Sequence, residues 1–116
     1  KQKTAYEMYK DHFKEYYDIG MLVTAGTDNI TADGRSDLYV AKELAYMVEY
    51  GLTPVEAIRV GTMNGAKVMD MEDKVGQIKE GLCADLLIVD GDASLDIQAL
   101  ENVNTVYLNG EVVYGG

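Results

Sequence analysis

Histidine occurs once in this chain, at His12. A hydrolytic metal centre takes about three protein ligands, mostly His with some carboxylate, so one His cannot complete such a centre alone. Cysteine also occurs once, at Cys83, which rules out an internal disulfide and makes a reducing compartment the simpler expectation. Set between Leu82 and Ala84, Cys83 is expected to be a buried apolar thiol. Lys and Arg number 10 against 20 Asp and Glu, a formal net charge of -10. Such a surface repels phosphate backbones, so nucleic acid is not an expected partner. Long hydrophobic runs are missing too: charged residues interrupt every apolar stretch before it nears the roughly 20 residues that cross a bilayer. No membrane partner and a cytoplasmic location are the expectations. The chain starts Lys1-Gln2-Lys3 with no signal-like apolar stretch after it, and is expected to be a piece of something longer.

What is present is enough for one modest core. The chain has 116 residues, 47% of them hydrophobic, which is too short for two ordinary domains. From Ala5 the residues Met8, Tyr9, His12, Phe13, Tyr16 and Tyr17 recur at three and four, predicting an amphipathic helix that ends near Gly20. Met21 to Ala25 is almost continuously apolar, as strands buried on both faces of a parallel sheet are. Asn29 to Arg35 is polar and reads as the loop leaving that strand, with Ser36 as an N-cap for the next helix. Leu38, Ala41, Leu44, Ala45 and Val48 carry that helix, and Gly51 ends it in a left-handed conformation.

Thr53-Pro54-Val55-Glu56 then has the form of a capping box, with the chain's one proline at the first helical position, where its missing donor is not needed. A further helix is expected from about Thr62 to Met69, weakened by Gly61 and Gly65. Beyond Met71 to Lys74 the period changes. Glycines punctuate short β runs over Ala84 to Val89 and Val103 to Leu108, and Asn109-Gly110 forms a two-residue hairpin turn into Glu111 to Tyr114. The chain therefore divides into residues 1–72, helices with one buried strand, and residues 73–116, a small sheet.

Asp28 is the residue where this organisation meets chemistry. It follows Gly26-Thr27 at the end of the buried strand, on the side where barrels and open sheets place their active sites. By residue type it also fits a turn-capping aspartate, and both readings stand at this level. Two weaker patterns lie elsewhere. Asp90, Asp92, Ser94, Asp96 and Glu101 have EF-hand spacing, but Leu95 occupies the position that requires Gly and the preceding segment reads as a strand, so we read an acidic surface connection. Asn29-Ile30-Thr31 fits a glycosylation acceptor, without any sign of secretion.

The ordered set Gly26-Thr27-Asp28, Gly51 to Ile58, Asn64-Gly65-Ala66 and Val75 to Leu86 resembles the C-terminal portion of a metal-dependent amidohydrolase, in the imidazolonepropionase-like branch of that superfamily. The resemblance runs from about Gly20 onward. It implies an α/β fold: the last strand and outer helices of a TIM-type (β/α)8 barrel, followed by part of a C-terminal β-sandwich shared with the other end of a longer chain. It implies that Asp28 ligates Zn or another divalent metal and accepts a proton from the attacking water, while the remaining ligands lie upstream of Lys1. His12 matches none of those ligands and reads as a packing or surface histidine. Asn29 and Arg35, in the loop after the strand, would contact a small-molecule substrate.

The implied activity is hydrolysis of a non-peptide carbon–nitrogen bond, in a cyclic or linear amide, with the 116 residues inactive alone. A deaminase of the same superfamily is the alternative enzyme, and a noncatalytic association module the alternative from another class. Exposed sheet edges and uncovered helices predict a homo-oligomer or a domain-swapped assembly.

Overall fold

The computed structural model describes residues 5–20, 22 and 40–116. Helix α1 spans Ala5–Asp18, and its end forms where the glycine was expected: the Gly20 amide donates to the Tyr17 carbonyl at 3.1 Å. Phe13 is buried and Tyr17 half-buried, one turn apart, whereas His12 and Tyr16 lie exposed on the adjacent stripe. Among the described side chains 12–20, packing on Phe13 and Tyr17 therefore covers only part of the apolar face read from the sequence. Leu22 is exposed and outside any strand. The rest of the expected strand Met21 to Ala25, the loop Asn29 to Arg35, Ser36 and Leu38 lie outside the described residues.

Helix α2, Val40–Glu49, ends on Gly51, whose φ is 119°. The Gly51 amide donates to the Val48 carbonyl and the Leu52 amide to the Met47 carbonyl, both at 3.1 Å. This pair of bonds is the Schellman closure, which needs a left-handed residue at Gly51, where a side chain would cost energy. Met47 and Leu52, at its two ends, are both buried in the core, the apolar contact that usually accompanies the motif.

Helix α3, Pro54–Arg59, starts on the expected capping box. The Thr53 amide donates to Glu56 Oε1 at 2.9 Å, and the Glu56 amide to Thr53 Oγ1 at 3.2 Å. The helix expected to start separately near Thr62 is instead continuous with it. A π-turn over Val60–Asn64 joins α3 to helix α4, Gly65–Val68, and both junction residues, Arg59 and Gly65, keep right-handed helical angles. The wider π register is accompanied by the Thr62 hydroxyl donating to the Ile58 carbonyl at 2.7 Å.

Gly61 stays inside the helix for a reason of space. A Cβ there would lie 2.8 Å from Leu44 Cδ1, so its lack of a side chain lets α2 approach the rod. A second Schellman closure ends α4, the Met71 amide donating to Ala66 at 2.8 Å and the Asp70 amide to Lys67 at 3.1 Å. Here the left-handed position is held by Asp70, with φ 57°.

The remainder is a three-stranded antiparallel sheet in the order β1-β2-β3: β1 Leu86–Val89, β2 Val103–Leu108 and β3 Glu111–Gly115. Asn109 and Gly110 both take positive φ, 50° and 82°, as a type I′ hairpin turn requires. Between the β2 partners Val106↔Tyr114 and Tyr107↔Val112 the register shifts, so Val113 bulges.

A 3-10 turn over Ile97–Glu101 links β1 to β2 and opens with the Asp96 carboxylate accepting from the Gln98 amide at 3.1 Å. It lies against α2 and sends Ile97 into the cluster formed by Phe13, Leu44, Met47, Leu52, Ala57 and Val60. The connection between β1 and β2 thus joins the core formed by the helices. Burying side chains of this size contributes about 1.5–3 kcal/mol each. No helix among the described residues is long and apolar enough to cross a membrane.

Candidate functional site

Asp28, Asn29 and Arg35, the predicted site residues, lie outside the described residues, as does Asn29-Ile30-Thr31. The two helices that bracket them are described, and both are anchored in the same cluster: α1 through Phe13, α2 through Leu44 and Met47. The Phe13 ring of α1 and the Tyr50 ring just after α2 meet tilted at a centroid distance of 5.6 Å. The stretch carrying Asp28 is therefore entered from α1 and left through α2, two helices tied to one core.

The titratable groups on these helices do not form a second centre. His12 is exposed, with Nδ1 3.0 Å from Glu15 Oε2 one turn along, so it is a surface histidine. Lys14 donates to Asp18 at 2.7 Å, and that bond, opposed by slight desolvation, leaves its ammonium titrating above the ordinary lysine range. Among the described residues, no group of three or more His, Cys, Asp and Glu side chains gathers where it could hold a metal. The donor set on these residues does not fit a hydrolytic metal centre.

Carboxylates with EF-hand spacing are engaged locally instead. Asp92 accepts from both the amide and hydroxyl of Ser94, Asp96 caps the 3-10 turn, and Asp90 accepts from Asn104 Nδ2 at 3.2 Å. The Asp92 and Asp96 bonds reach only two residues along the chain, as Asx-type turns do, whereas the Asp90 bond ties the end of β1 to β2.

The other sequence motifs prove to be joints of the fold. Gly76, with φ 103°, sits where a Cβ would be 2.7 Å from the Ala66 Cβ, so Gly76 packs directly on Ala66 and on the backbone at Thr62 and Met63. Within the next motif, the Cys83 amide donates to the Lys74 carbonyl at 2.7 Å and closes the loop between them. Asp85 precedes β1 and accepts from the Asn109 amide at 2.7 Å, while the Gly110 amide donates to the Ala84 carbonyl at 2.9 Å.

These two bonds fasten the hairpin turn to the start of β1. They also explain why the strand begins at Leu86 and not at Ala84: both preceding residues are engaged in the turn. Cys83 is exposed, contrary to the buried thiol expected from its apolar neighbours. It lies on a surface turn whose bonds are made by the backbone, leaving the side chain outward.

Comparison with known proteins extends this picture. Residues 10–113 match the protein family described as the amidohydrolase family. The imidazolonepropionase of Thermoplasma volcanium is 31% identical over 112 residues, covering 93% of this chain and 27% of that protein. A 5-methylthioadenosine/S-adenosylhomocysteine deaminase of Moorella thermoacetica is 28% identical, covering 86% of this chain and 28% of that protein. Among solved structures, a Xaa-Pro dipeptidase with methionine bound in its active site superposes with a TM-score of 0.79 at 39% identity, over 92% of this chain and 25% of the other. The chain spans about a quarter of the length of these relatives. With the match reaching from α1 to β3 and taking in every motif described above, this chain belongs to the amidohydrolase family.

Proposed function

We propose that the chain serves as the C-terminal part of a longer metal-dependent hydrolase that cleaves a carbon–nitrogen bond in a small molecule, in the cytoplasm. The observation that carries this reading is the family match over residues 10–113, which includes Asp28 and both helices that flank it. A divalent ion such as Zn, when bound, would lower the pKa of water toward about 7 and polarise the scissile carbonyl. Asp28 contributes a carboxylate that can serve as one ligand and accept a proton from water. Asn29 and Arg35 orient the substrate from the loop that follows.

His12 is held at the surface by Glu15, so it adds nothing to the ligand set, and the 116 residues are inactive by themselves. Their exposed apolar side chains, Leu87, Leu95 and Tyr114 among them, favour association with a second copy or a domain swap. A chain that only associates, with no catalytic parent, is the reading from another class.

Two bond types have support from the relatives. Imidazolonepropionases and deaminases among them favour a non-peptide or amidine-like carbon–nitrogen bond, whereas the 39% identity to a Xaa-Pro dipeptidase favours a peptide bond to proline.

The test is to express the chain together with its upstream coding sequence, measure bound metal, and assay a cyclic amide, an aminopurine nucleoside and a Xaa-Pro dipeptide. We expect hydrolysis of one of the three, and a loss of about 10²- to 10⁴-fold on Asp28→Asn. Full activity and full metal content in Asp28→Asn would remove the role assigned to Asp28. An upstream sequence with no His-x-His pair after an early strand would remove the hydrolase reading. Sedimentation of the 116-residue chain as a monomer at high concentration would remove the association.

A further inference from the structure

We draw no further inference here: the strongest candidate, the apolar sheet face carrying Leu87, Val106 and Tyr114 beside the open β3 edge, is an exposed surface for which nothing in the structure shows what covers it.

Discussion

Gly61→Ala sets two effects of opposite sign against each other at one position. Inside a helix, alanine is favoured over glycine by about 1 kcal/mol. Against this, the new methyl would stand 2.8 Å from Leu44 Cδ1 and 3.3 Å from Cδ2, well inside the ~3.5–4.0 Å at which carbon atoms attract. Leu44 is only 4% exposed and shares its cluster with Met47, Ala57 and Val60, so its methyls have little room to turn away. Overpacking of this kind costs about 1–3 kcal/mol.

Taking the middle of that range, Gly61→Ala destabilises the chain by about 1 kcal/mol. At a urea slope of about 1.5 kcal/mol/M, the unfolding midpoint followed by far-UV circular dichroism falls by about 0.7 M. The decisive arm is the same change in a Leu44→Val background, which shortens the side chain by one methylene and leaves no atom at the δ positions, at a cost of about 1 kcal/mol. There the clash is gone and only the helix term remains, so Gly61→Ala now raises the midpoint by about 0.7 M, a coupling of about 2 kcal/mol between the sites. Equal effects in both backgrounds would refute the claim that Gly61 exists to admit Leu44.

Further outcomes follow from single contacts. Thr53→Ala removes one half of the capping box and lowers stability by about 1 kcal/mol, while Thr53→Ser keeps the acceptor and most of that energy; urea midpoints of the two variants decide it. Asp70→Gly relieves the left-handed strain at φ 57° and, after the entropy cost of glycine, raises stability by about 0.5 kcal/mol, or a melting temperature about 2 °C higher; a lower melting temperature would contradict the Schellman assignment. Cys83 reacts with a thiol reagent in the native state, without denaturant and as fast as a small-peptide thiol, whereas a buried thiol would react only on unfolding.

The features legible in the sequence are those whose hydrogen bonds close over a few residues. Thr53 and Glu56 cap each other three positions apart, Gly51 closes α2 on Val48 and Met47, and Asn109-Gly110 turns one strand into the next. Each follows from local backbone geometry and residue type, with no contribution from the rest of the chain. Burial is less legible. Tyr16 repeats at the same helical spacing as Phe13 and Tyr17 yet is exposed, Met47 is buried outside the set Leu38, Ala41, Leu44, Ala45 and Val48, and Cys83 is exposed despite apolar neighbours. Periodicity states which residues share a face, but the width of contact depends on the element that packs there.

The sequence by itself determined membership of the amidohydrolase family, the C-terminal ends of α1 and α2, the capped start of α3, the hairpin, and Asp28 as the carboxylate to test. Tertiary structure alone decided that α3, the π-turn and α4 form one rod, that Gly61 admits Leu44, that Gly76 lies on Ala66, that Asp85 fastens the hairpin turn, and that Ile97 joins the helical core. The physical reason is distance along the chain. Caps and turns are satisfied by neighbours a few residues away, whereas close packing and burial depend on side chains brought together only when the elements dock.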